Sequence, residues 1–151
     1  MGCHARGGGL FALPDPRCSP GATNPDVTQA NIGSTICHAG WTTTIRPPES
    51  VTQPEKLVGM RAYGIAGSPH DYEWDHVIAL SSGGAPNSYA NFFPELDYPG
   101  VSGKSFVLNP KDRLEDLFHR LICSHRLSLV AAQEMEAEDW ATAYRHYVKI
   151  R

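Results

Sequence analysis

Two short apolar runs joined by a turn-rich segment constrain this 151-residue chain more than any other feature. The first is Tyr72-Glu73-Trp74-Asp75-His76-Val77-Ile78-Ala79-Leu80, closed by Ser81-Ser82-Gly83-Gly84, and the second opens at Asn91-Phe92-Phe93-Pro94-Glu95. Residues 81–90 are rich in Ser, Gly, Pro and Asn, which favour chain reversal. Residues 72–80 and the segment from Asn91 are therefore predicted to pair as a β-hairpin. Successive side chains of a strand point to opposite faces, so Asp75 and His76 diverge while Glu73 shares a face with Asp75. Such a pair serves one reaction centre only where a second element wraps round the strand. There Asp75 suits a metal-ligand carboxylate and His76 a general base.

Helical signals follow the hairpin. Asn109-Pro110-Lys111-Asp112 combines an Asn cap, Pro at the first position and an acid in the first turn, predicting a helix to about Ser124. Leu114, Leu117, Phe118 and Leu121 make its apolar stripe, while Lys111, Glu115 and His119 recur every four residues on another face. Glu115 and His119, one turn apart, suit two ligands of one metal ion or an exposed ion-pair ladder. A second helix is expected from near Ser128, with Leu129, Ala132, Trp140, Ala143, Tyr144 and Tyr147 as core packing.

The N-terminal half is less regular. Residues 1–24 are Gly/Pro-rich and predicted to be a flexible segment, with residues 25–151 forming a single domain. The apolar stretch Leu10 to Leu13 is too short for a signal-peptide core, which leaves a flexible leader or the remnant of a trimmed signal. Asn24-Pro25-Asp26 suggests a short helix through Gln29. Thr42 to Ile45 reads as a short β segment stopped by Arg46-Pro47-Pro48. Ser50 or Thr52 is expected to cap a helix over roughly residues 53–63 that ends at Gly64. Residues 97–108 read as an irregular excursion.

Composition narrows the partners. A net charge of −3 gives no support for strong, non-specific nucleic-acid binding by the whole surface. Lys104, Lys111, Arg113, Arg120 and Arg126 do fall within one segment, either as a local basic groove or as solvated helix-face charges. No apolar run approaches a membrane span, so no membrane partner is expected. The four cysteines form no C-x-x-C pair, and their three possible pairings are not distinguished by spacing. Cys37–Cys123 is favoured because each lies beside an apolar segment, with free thiols as the alternative. If formed, that bond favours a secreted or periplasmic location.

The hairpin with Asp75-His76 on one strand, Asn91 opening the next and a helix beyond resembles the HNH, or ββα-metal, nuclease superfamily. More narrowly, residues 72–84 and 91–95 resemble a bacterial branch with a Y-E-x-D-H-L-I-P-L-E-L-G-G … N-L-W-P-E signature. Thr35-Ile36-Cys37, Gly40-Trp41-Thr42 and Arg46-Pro47-Pro48 fit its N-terminal segment. Lys111 to Glu115, Leu117, His119, Cys123 and Ala132-Gln133 fit its C-terminal helices. The likeness thus spans about residues 16–147. Ala79 departs from the usual Pro, Ser81 from an acid and Phe93 from Trp, and none of these removes a candidate catalytic group.

The resemblance implies an α+β fold, with a ββα-metal hairpin-plus-helix core and additional N- and C-terminal helices. It implies a metal-dependent endonuclease hydrolysing DNA phosphodiesters with low sequence specificity. DNA is favoured over RNA as the partner. His76 would be the general base, and Asn91 would hold the hairpin and orient His76. Asp75 would bind one divalent metal ion (Mg²⁺, Mn²⁺, Zn²⁺ or Ni²⁺) with His119 and Glu115, and Lys111 would touch nucleic-acid phosphate. Asn109 and Asp112 stand as further candidates for the helical ligand, while Glu73 is left outside the ligand set. A zinc site from Cys37, His38, Cys123 and His125 is a separate possibility. The alternatives to this activity are a non-catalytic ββα-fold module binding nucleic acid or protein, and a hydrolase of other phosphoesters.

Overall fold

The computed structural model describes residues 2–102, 104 and 107–149. It is a mixed α+β structure whose sheet, among the described residues, has two antiparallel strands, β1 (Tyr72–His76) and β2 (Phe92–Leu96). The register pairs Glu73 with Glu95, Asp75 with Phe93 and His76 with Phe92. Glu73, Asp75, Phe93 and Glu95 therefore share one face, and Trp74, His76 and Phe92 share the other.

Each face is covered by a helix. On the aromatic side lies α2 (Glu49–Ala62), where Gly59 makes the approach possible: a Cβ there would stand 2.2 Å from the Trp74 ring. Trp74 stacks on Phe92, with ring centroids 5.1 Å apart. On the acidic side lies α3 (Pro110–Cys123), which starts as expected. The Asn109 side chain accepts from the Asp112 N–H at 2.8 Å, and the Asp112 carboxylate accepts from the Asn109 N–H at 3.1 Å. This reciprocal cap fixes where the helix begins over the hairpin.

The main core lies beyond the hairpin. Leu114, Phe118 and Ile122 of α3 pack with Leu129, Ala132 and Trp140 of α4 (Leu129–Tyr144), closed by Val27, Ile32 and Ile36. The periodic stripe expected in α4 is therefore core. Two disulfides add covalent ties, the expected Cys37–Cys123 and also Cys3–Cys18. No described helix is long and apolar enough to cross a membrane.

Several local expectations are corrected. Thr42 to Ile45, read as β, lie in a short helix, α1 (Trp41–Ile45). Its threonines have strand propensity but no neighbouring strand, and the Thr44 hydroxyl instead donates to the Trp41 carbonyl at 2.6 Å. Helix α2 begins four residues before the expected start, directly after Pro48, and holds Pro54 within it. The turn at residues 24–28 leads into a 3₁₀ segment, Gln29–Ser34, capped by Thr28. Strand β1 stops at His76, because the next residues are bonded by the Asn91 side chain.

Residues 2–24 are irregular, as expected, yet fastened to the body. Cys3 N–H donates to the Ala62 carbonyl at 2.8 Å, Thr23 bridges to Gly84, and Phe11 stacks on Trp140. The excursion expected over residues 97–108 lies partly outside the described residues.

Candidate active site

The β1 strand runs along a cleft of about 430 Å³ whose walls come from α1, α2 and α3. Glu73, Trp74, Asp75 and His76 all line it, so side chains leaving opposite faces of β1 reach one space. This is the enclosing element that the Asp75-His76 pair requires. The cleft is acid-rich: Glu49, Glu73, Asp75, Asp112, Glu115 and Asp116 line it against two cations, Arg46 and Lys56.

His76 is 9% exposed, and its Nε2 lies 2.9 Å from the Pro86 carbonyl oxygen. A carbonyl only accepts, so Nε2 carries the proton and Nδ1 keeps the lone pair. Burial is the main cause that lowers its pKa to about 4, and it outweighs the Pro86 bond and Asp75, which act the other way. The imidazole is therefore neutral at pH 7, with one nitrogen tethered and one unprotonated.

Asn91 is wholly buried and holds the connection between the strands. Its Oδ1 accepts from Ile78 N–H at 2.9 Å and Ala22 N–H at 3.1 Å. Its Nδ2 donates to the carbonyls of Ile78 and Ala85, each at 3.0 Å. The Asn91 carbonyl accepts from Val77 N–H at 2.8 Å, directly after His76. Gly84 makes this knot possible, since a Cβ there would meet the Ile78 oxygen at 1.8 Å.

Lys111, expected at a nucleic-acid phosphate, is placed elsewhere. Its side chain is 1% exposed and its ammonium donates to the His76 carbonyl and to Glu115 Oε1, both at 2.6 Å. It also lies 2.7 Å from Asp75 Oδ2, at ion-pair distance but without hydrogen-bond alignment. Burial alone lowers a lysine pKa, but the carboxylates around Lys111, Asp75 and Glu115 foremost, hold it well above the usual value. A sequestered ammonium cannot reach a substrate phosphate; here it locks α3 onto the end of β1.

His119 is also separated from Asp75. Its Nε2 lies 2.8 Å from the Ile36 carbonyl oxygen, and its metal-capable neighbours are Cys37 and Cys123. Atoms of those three residues lie within 4.8 Å of one another, close enough to hold a metal ion. The two sulfurs are bonded to each other, however, and a disulfide offers no thiolate. The same bond removes the Cys37/His38/Cys123/His125 zinc set. Glu115 does line the cleft, with Oε1 engaged by Lys111.

Beside Asp75 stand Glu73 and Glu95, one oxygen from each of the three lying within 4.8 Å of the others. Asn109 Nδ2 donates to Glu95 Oε1 at 2.7 Å and to Glu73 Oε2 at 3.4 Å, while its Oδ1 caps α3. Burial, then repulsion from Asp75, pushes Glu73 up to about 8, and the same causes push Glu95 well above the carboxylate range. Glu95 and Arg46 were not singled out from the sequence. For Glu95 a signal existed, because like charges directly opposite on a hairpin are destabilising unless something compensates them; for Arg46 the signal was its place in the Arg46-Pro47-Pro48 match, which carried no role. Comparison with family models, curated proteins and solved structures returns no match.

Proposed function

We propose that this protein is a metal-dependent endonuclease of the HNH, ββα-metal type that hydrolyses DNA phosphodiesters with little sequence preference. The observation that carries the reading is His76: a neutral imidazole, tethered through Nε2 and unprotonated at Nδ1, in the same cleft as Asp75. In this reading β1, β2 and α3 are the two strands and helix of the nuclease core. The His76 Nδ1 takes the proton of a water molecule, whose oxygen attacks phosphorus as the bond to the 3′-oxygen breaks. Asn91 is a positioning residue, since its bonds hold the turn that carries Pro86 and the end of β1.

Asp75 fits as a ligand of a divalent ion, because one of its oxygens lies within 4.8 Å of oxygens of Glu73 and Glu95, while its Oδ2 also stands at ion-pair distance from Lys111. When bound, the ion would supply Lewis-acid stabilisation of the phosphate and of the departing oxygen. The acid-rich cleft would repel a polyanion without it, and Arg46, exposed at the cleft wall, replaces Lys111 as the cation available to a phosphate. The two disulfides suit an oxidising compartment, and a secreted or periplasmic bacterial enzyme is the corresponding proposal.

Nicking of supercoiled plasmid is the test. Activity is expected with Mg²⁺ or Mn²⁺, abolished by chelator, and reduced by about 10²–10⁴-fold in His76→Ala, the range of general-base catalysis. Full activity in that variant would refute the mechanism. Metal-independent DNA binding without cleavage would favour the non-catalytic module, and cleavage of small model diesters but not DNA a different phosphoesterase.

A further inference from the structure

We propose that Glu73 and Glu95, paired across the hairpin, join Asp75 to bind a single hard divalent cation, Mg²⁺ or Mn²⁺. The inference rests on the reading above in taking Asp75 as a ligand, and it moves the remaining ligands from helix α3 to the hairpin itself.

Three observations carry it. First, the register sets Glu73 directly opposite Glu95, with Asp75 on the same face, and one oxygen from each lies within 4.8 Å of the others. An ion bonding to oxygens at about 2.0–2.6 Å bridges such a span. Second, Glu95 is 2% exposed, and its Oε2 has no hydrogen-bond partner among the described residues. A buried oxygen without a partner is met either by a proton of its own or by a cation, and the convergence of three acids on one point supplies a place for the cation. Third, Asn109 Nδ2 donates to one oxygen of Glu95 and one of Glu73. That clamp holds one oxygen of each glutamate in place, as donors behind ligating carboxylates do, while Glu95 Oε2 accepts no hydrogen bond among the described residues.

The helix residues have other engagements: Glu115 Oε1 with Lys111, His119 with Ile36, and both polar ends of Asn109 with the cap and the glutamates. An all-carboxylate donor set selects a hard, oxygen-preferring ion over Zn²⁺ or Ni²⁺. Glu73 and Asp75 line the cleft while Glu95 lies behind them, so an ion held by all three faces the space that His76 also lines.

The test is a titration of the 151-residue, disulfide-intact protein with Mn²⁺, followed by electron paramagnetic resonance and calorimetry without DNA. One Mn²⁺ should bind, and Glu73→Gln and Glu95→Gln should each weaken binding by about tenfold or more, as loss of a ligand requires. His119→Gln should bind as the parent does. Circular dichroism and the Mn²⁺-induced rise in Tm accompany each variant, so that a misfolded protein is not scored as a loss of ligand. Glu95→Gln keeps the shape that Asn109 holds. Should either glutamine variant misfold, Glu73→Asp and Glu95→Asp replace them and should weaken binding through ligand distance.

Undiminished binding in the folded glutamate variants, loss of binding in His119→Gln, or no binding by the parent protein would overturn the proposal. Plasmid nicking separates it from the nuclease reading. Mn²⁺ binding that depends on Glu95, in a parent that does not nick, sustains the site and removes the nuclease. Metal-dependent nicking that is untouched in Glu95→Gln sustains the nuclease and removes this ligand set.

Discussion

The chemistry of single residues depends on what each buried group is paired with. His76 is neutral because burial disfavours the imidazolium, which sets the sign of its contribution to stability. Its folded pKa of about 4 lies below the 6.5 of an unperturbed histidine, so the unfolded chain takes up the proton first as pH falls. Its contribution is complete above pH 6.5 and is lost as pH drops towards 4. Thermal melts across that window should show the native protein losing stability relative to His76→Gln, and parallel curves would contradict the assignment.

Asn91 acts through number rather than charge, since its amide serves four backbone groups at once. Asn91→Ala strands those four groups and should cost at least about 4 kcal/mol in denaturant unfolding, at roughly 1–3 kcal/mol per orphaned buried group. A cost under about 1 kcal/mol would mean that water replaces the amide.

At the scale of elements, the hairpin is short and depends on what covers it. Its two faces differ in kind, aromatic towards α2 and acidic towards α3, and the joining turn closes only because Gly84 lacks a side chain. In Gly84→Ala the new methyl meets the Ile78 oxygen and lies 2.9 Å from Asn91 Nδ2. The expected loss is about 1–3 kcal/mol, as for other overpacked sites, measurable as a lower denaturant midpoint at unchanged m-value. Helix α3 is the joint between this unit and the main core: Lys111 secures its first turn to β1, and Cys123 ties its last residue to Cys37.

Across the whole molecule, the Cys37–Cys123 bond closes a separation of 86 residues and fastens the segment before α1 to the end of α3. Removing it by Cys37→Ser with Cys123→Ser should lower stability by about 4 kcal/mol in the chain-entropy account. The check is unfolding of this variant against the parent under oxidising conditions, with dithiothreitol bringing the parent towards the variant. Equal stability of the two oxidised proteins would show that the bond constrains little.

Local rules were enough wherever a residue's role is settled by its neighbours in the chain. The cap at Asn109, the extent of α3, the core stripe of α4 and a hairpin that returns at Asn91 all follow from patterns of a few residues. Strand alternation likewise separates Asp75 from His76. Where propensity misled, as in the Thr-rich α1, the missing information was the absence of a neighbouring strand. Tertiary structure decided which partners each side chain meets. Lys111 and His119 lie at helical spacing from Glu115, but packing buries the lysine beneath Asp75 and turns the histidine towards the Cys37 segment. Glu95 sits twenty residues after Asp75 in sequence, and only the register brings it to the same face. Spacing along one element ranks its faces; the assembly of elements from distant parts of the chain determines which faces meet.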